Sequence, residues 1–65
     1  MLTKKELRVM ELRKEGLKQM EIASKLKISQ PAVSAFENNA IRKINDAKRI
    51  IEFVKKIRYR YEEAQ

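Results

Sequence analysis

Read as apolar and polar positions, the chain falls into three stretches with helical spacing and two short interruptions. In the first stretch Leu7, Val9, Met10 and Leu12 form a broad apolar face within LRVMELRKE. Thr3 followed by Glu6 fits a capping box, in which the hydroxyl takes a backbone N–H and the carboxylate reaches back. Gly16 supplies the left-handed residue that ends this helix. The second stretch, from about Gln19 to Leu26, sets Ile22 and Leu26 one turn apart with Ala23 beside them. Lys18, just before it, has no acceptor and cannot cap. KLKIS then reads as a turn. Ser29 is a good N-cap, and Pro31 stands in the first turn of the next helix, where its missing N–H costs nothing.

The third stretch turns Val33 and Phe36 inward. Beyond them Ile44, Ala47, Ile51, Val54 and Tyr61 keep 3-4 spacing, and Ile50, Phe53 and Ile57 widen that stripe to about half the helix circumference. Asn38–Asn39 leaves two alternatives open. It is either a kink or loop before a separate C-terminal helix over about 40–63, or a polar pair on one long helix.

Gln19 to Phe36 therefore has the pattern of a helix-turn-helix. Two short helices crossing at roughly 90–120° need a small residue at the crossing, and Ala23 stands there. They also need apolar contacts around it, for which Ile22, Leu26, Ile28, Val33 and Phe36 are placed. Their uneven spacing is not that of one amphipathic helix, because a turn interrupts it. The expected fold is all-α, a helix-turn-helix three-helix core with a long C-terminal helix, as one domain over residues 1–65. A small helical bundle without a groove-reading role is the plainer alternative.

Composition narrows the chemistry. The 65 residues include no cysteine and no histidine, one glycine (Gly16) and one aspartate (Asp46). The usual metal ligands, the usual general base near neutral pH and a phosphate-cradling glycine loop are all missing, so an enzyme is not expected. No cofactor is expected either. Sixteen Lys and Arg against nine Asp and Glu give a net charge of +7, which points to a polyanionic partner, most often nucleic acid. No apolar run approaches the roughly 20 residues that span a bilayer, and the N-terminus does not read as a signal peptide. The expected location is the cytoplasm, with the nucleoid, and no membrane partner is expected.

The segment LTKKELRVMELRKEGLKQMEIASKLKISQPAVSAFE resembles the helix-turn-helix shared by LuxR-type regulators, sigma-factor region four and the archaeal Tfx family. The leading LT, the glycine and then EIA, IS and VS carry the match. The continuation FENNAIRKINDAKRIIEF is most similar to the Tfx family and next to sigma region four. The resemblance implies sequence-specific binding of double-stranded DNA and control of transcription. Two positions depart from the pattern: Lys27 stands where a turn glycine is usual, and Lys18 where a Thr or Ser usually precedes the second helix.

In such an arrangement the third helix enters the major groove with its N-terminal residues on base edges. Its candidate base-reading residues are Gln30, Pro31, Ala32, Ser34, Ala35 and Asn38. Gln30 can pair bidentately with adenine, Ser34 suits donor or acceptor edges, and Pro31 or Ala35 can meet a thymine methyl. Candidate phosphate contacts are Lys18 and Gln19 at the start of the second helix, with Lys25, Lys27, Ser29, Arg42 and Lys43 flanking them. The C-terminal apolar face has two readings. It folds back on the first helix to complete a four-helix core, or it pairs with a second copy. The homodimer is the favoured reading, with Ile50, Ile51, Phe53, Val54, Ile57 and Tyr61 at the interface. No small-molecule effector is expected, and repression by steric occlusion is the simplest action. Two rivals stand beside this reading: a nonspecific architectural DNA-binding protein, and a helix-turn-helix module that binds protein.

Overall fold

The computed structural model describes residues 1–58 of the chain. Among the described residues three helices form: α1 over Lys4–Lys14, α2 over Gln19–Leu26 and α3 over Gln30–Lys56. Each starts as its local sequence dictates. At α1 the Glu6 N–H donates to Thr3 Oγ1 at 3.2 Å and the Thr3 N–H donates to Glu6 Oε1 at 2.9 Å. At α3 Ser29 Oγ accepts from the Ala32 N–H at 3.2 Å, and Pro31 sits in the first turn. At α2 no side chain caps the first turn, but Glu21 Oε1 accepts from the Lys18 N–H at 2.9 Å.

The helix ends share one device. The Leu17 N–H donates to Leu12 O at 3.2 Å and the Gly16 N–H to Arg13 O at 2.9 Å, a paired closure that turns on a left-handed Gly16, φ 97°. The end of α2 repeats it: Ile28 N–H to Ala23 O at 3.0 Å, with Lys27 at φ 57° in glycine's usual role. A side chain there costs about 1 kcal/mol relative to glycine. Arg58, φ 56°, follows the end of α3 in the same conformation.

Val9, Leu12, Ile22, Ala23 and Val33 are buried together, and Leu17, Leu26, Ile28 and Phe36 close around them. Ala23 is accordingly buried beside Ile22 and Val33, where the short α2 meets the much longer α3. The broad face expected for α1 is narrower in the structure. Val9 and Leu12, three residues apart, share the buried side, whereas Leu7 lies some 200° around the helix from Val9 and is 47% exposed.

The Asn38–Asn39 alternatives resolve into one helix. α3 runs 27 residues without a break, about 40 Å. Both asparagines are exposed, while Ala40 is buried and Ile44 half-buried on the inward side. The poor helix propensity of two asparagines, under ~1 kcal/mol each, is outweighed by that packing and by an ion pair at Lys43. There is accordingly no separate C-terminal helix beginning near residue 40 among the described residues. Among the described residues, the return onto α1 that would have made a four-helix core does not occur.

Two ion pairs clamp α1 along α3. Glu6, near the start of α1, holds Lys43 at 2.8 Å, and Arg13, near its end, holds Glu37 at 2.7 Å. Seven residues forward on α1 correspond to six residues back on α3, so the two helices run antiparallel. Among the described residues no helix is long and apolar enough to cross a membrane.

Candidate nucleic-acid interface

At 3.6 residues per turn, Val33, Glu37, Ala40 and Ile44 share the inward side of α3. Pro31, Ala35, Asn38, Arg42, Asn45 and Arg49, spaced 4, 3, 4, 3 and 4, share the outward side, and all six are exposed. The first three are candidate reading residues. Gln30 is exposed as well, whereas Ala32 and Ser34 are half-buried along the flanks of the stripe. The surface near the start of α3 is thus made of small side chains, which allow a close approach, with few polar atoms for base edges.

Asn45 and Arg49 were not singled out from the sequence. They join the stripe only because α3 is continuous, and Arg49 is partly engaged by Asp46 one turn back. Arg42 sits on the stripe itself, and Lys18, Lys25 and Lys27 are also exposed. The Ser29 hydroxyl serves as the α3 cap, which leaves its hydrogen free to donate.

Two of the expected phosphate ligands have other work. Lys43 Nζ donates to Glu6 Oε1 at 2.8 Å and to Met1 O at 3.2 Å. Its ammonium lies between the start of α1 and the middle of α3, engaged within the fold. Glu6 is 4% exposed and needs a cation in place. The Lys43 hydrogen bond, and after it the Thr3 N–H, hold its carboxyl below the ordinary glutamate range against the opposing effect of burial. Gln19 likewise turns inward, with Nε2 donating to Glu37 Oε1 at 2.7 Å. Its side chain is thus engaged within the fold, and its backbone N–H lies in the uncapped first turn of α2.

Glu37 and Arg13 are the residues that reasoning from sequence passed over. The available signal was a carboxylate on the inward stripe between Val33 and Ala40, a position that demands a partner. Of the dimer candidates, Ile50 (64%), Ile51 (46%), Phe53 (61%) and Ile57 (53%) are exposed, and Val54 is half-buried. Tyr61 lies outside the described residues. Lys5 Nζ sits 6.0 Å from the centre of the Phe36 ring, so its stem covers the edge of the core.

α2 and α3, joined by the short turn 27–29 and packed through Ile22, Ala23 and Val33, form a helix-turn-helix. The bacterial regulatory proteins of the LuxR family match residues 1–52, and the chain belongs to that family. It is a small helix-turn-helix chain that also resembles Tfx. It is 35% identical over 57 residues to the DNA-binding protein Tfx of Methanothermobacter thermautotrophicus, covering 88% of this chain and 41% of Tfx. It is 47% identical over 47 residues to a protein of Pyrococcus horikoshii named for transcriptional regulation, covering 72% of this chain and 33% of that one. A similarly named protein of Thermococcus kodakarensis is 47% identical over 47 residues, 72% of this chain and 31% of its own length. The chain thus spans about a third of the length of the Pyrococcus and Thermococcus proteins. No solved structure matches it.

Proposed function

We propose that this chain is a DNA-binding domain of a transcriptional regulator that reads double-stranded DNA through the major groove with the first half of α3. The observation that carries this reading is the outward side of α3. It presents Pro31, Ala35 and Asn38 in line, with Gln30 and Ser34 beside them, where a helix meant for solvent alone would carry long charged side chains. Gln30 and Ser34 supply the polar readout, and Pro31, Ala32 and Ala35 supply close apolar contact. Lys18, Lys25, Lys27 and Arg42, with the α2 N-terminus and the Ser29 hydroxyl, hold the phosphates. The +7 charge supports the same partner.

In this reading the chain works as a homodimer. Residues 45–56 of α3 continue past the core, and an unsupported helix of a dozen residues is marginal in water. Ile50, Ile51, Phe53, Val54 and Ile57 gather on one half of the circumference there, while Lys48, Glu52, Lys55 and Lys56 gather on the other. A second copy covers the apolar half. Bound to an operator, such a dimer represses by occlusion and uses no cofactor or small-molecule effector.

Selection from a random duplex library at ~0.15 M salt tests the reading. Two half-sites in inverted repeat, one helical turn or a multiple apart, are the expected enrichment. A single asymmetric site removes the dimer on DNA. Retention without an enriched sequence favours the architectural rival, and no retention favours the protein-binding rival. Exchanging Gln30 and Ser34 together for alanine is expected to erase sequence preference and leave nonspecific binding; preference that survives the exchange removes these two as readers.

A further inference from the structure

We propose that Glu37 is the positioning residue that sets the start of α2 against the reading face of α3. The inference rests on the DNA-binding reading above. Glu37 lies on the inward side of α3, immediately before Asn38 and three residues after Ser34. Its side chain is 14% exposed. One carboxylate oxygen, Oε2, accepts from Arg13 Nε at 2.7 Å, and the other, Oε1, accepts from Gln19 Nε2 at 2.7 Å. Arg13 also donates from Nη1 to Leu17 O at 3.1 Å. A single carboxylate therefore gathers the last turn of α1, the connection after it and the first residue of α2.

The function of that junction follows from what each arm reaches. Gln19 is the first residue of α2 and neighbours Lys18, so it sits where a phosphate would be gripped. Asn38 and Ser34 lie on α3, where bases would be read. Phosphate contacts fix register and base contacts fix sequence, so the offset between the two decides whether both can be made at once. The apolar core holds the helices together but is not directional. Leu12, Ile22 and Val33 would tolerate a small slide or rotation of α2. A short, charge-assisted hydrogen bond would not. Among the described residues, Gln19 to Glu37 is the one side-chain hydrogen bond between α2 and α3. Glu37 also differs from Glu6, the other inward carboxylate. Glu6 ties α3 to the start of α1, away from α2, and so cannot set this offset.

The test compares wild type with Glu37→Ala, Glu37→Gln and Glu37→Asp in the full chain, each bound to a duplex selected with wild type, across a salt series. Circular dichroism sets a temperature at which all are folded. Glu37→Ala is expected to lose at least tenfold in affinity. Its plot of log K against log salt should be shallower by about one, the equivalent of one lost phosphate contact. Its preferred sequence should stay the same. Glu37→Gln is expected to restore most of the affinity and the slope, because its carbonyl can accept from Arg13 while its amide donates to a flipped Gln19 amide. Glu37→Asp, one methylene shorter, should restore neither.

Lower stability with an unchanged slope would make Glu37 a brace only and overturn the proposal. Equal affinity and slope in Glu37→Ala would do the same. If the alanine variant does not fold, Gln19→Leu removes the α2 arm and leaves the Arg13 pair. The same shallower slope is expected of it, and an unchanged slope overturns the proposal. Wild type that holds no duplex at all would instead overturn the DNA-binding reading, a result separate from any failure of Glu37.

Discussion

The two halves of α3 experience different surroundings. From Gln30 to Ile44 the helix is capped by Ser29, packed through Val33 and Ala40, and pinned to α1 by Glu37 and Lys43. From Asn45 onward it has no partner within the described chain, and Ile50 and Phe53 are more than half exposed. Both halves share the same 3-4 spacing of apolar residues. Periodicity thus states which side of a helix seeks cover but not what provides it. In the first half the chain's own α1 and α2 do so, and in the second a copy of the chain is the cover we propose.

The largest effect that separates the halves is expected in the core. Leu12→Ala removes a fully buried side chain from a cluster of five. It should cost about 2–5 kcal/mol, enough to abolish a cooperative melt in so small a domain. Ile51→Ala, by contrast, should leave the melt of a dilute sample nearly unchanged. Next in size is Ile51→Asp, which places an unpaired carboxylate in the proposed seam. Association should weaken at least a hundredfold, about 3 kcal/mol, read as a shift to monomer in sedimentation velocity. A dimer that persists unchanged would break the comparison.

A third experiment uses acid. The carboxyl of Glu6 is held low in the folded chain, chiefly by Lys43. Its contribution is therefore complete above the ordinary glutamate value of 4.5 and is lost as pH falls through the lower folded value. Melting temperature should be steady near neutrality and drop below that point, and Lys43→Met should flatten the drop. Smallest is Lys27→Gly, which relieves the left-handed strain at the end of α2 and should stabilise by up to about 1 kcal/mol. A melting temperature that falls would mean that the lysine stem contributes more than its backbone costs.

Much of the head was legible in the sequence because its signals are local. The capping pair Thr3 and Glu6, the stop at Gly16, the cap at Ser29 and the uneven Ile22–Phe36 spacing each specify a few adjacent residues. Lys27 was legible as well, as a side chain in glycine's place. The continuity of α3 was not. Asn38–Asn39 by itself mildly disfavours a helix, and the decision came from Ala40, Ile44 and a salt bridge that reaches 37 residues back to Glu6. The same distance effect hid the partners of Lys43 and Gln19. Each reads as a free polar side chain on its own helix, and only the packed fold brings a carboxylate to it. The small residues of the proposed reading face were therefore legible in the sequence, and the braces behind them were not.

An unbroken α3 also has a consequence for geometry at long range. It is a shaft, and in a shaft the number of residues is an angle. Each residue between the core and the apolar half turns one end relative to the other by about 100° and advances it by about 1.5 Å. A single insertion after Asn45 would swing the exposed apolar half far out of phase with Pro31 and Ala35. Seven insertions would bring it back to within about 20°, some 10 Å farther out. Chain length along α3 thus acts as a gear that sets the heading of the proposed reading face relative to the exposed apolar half.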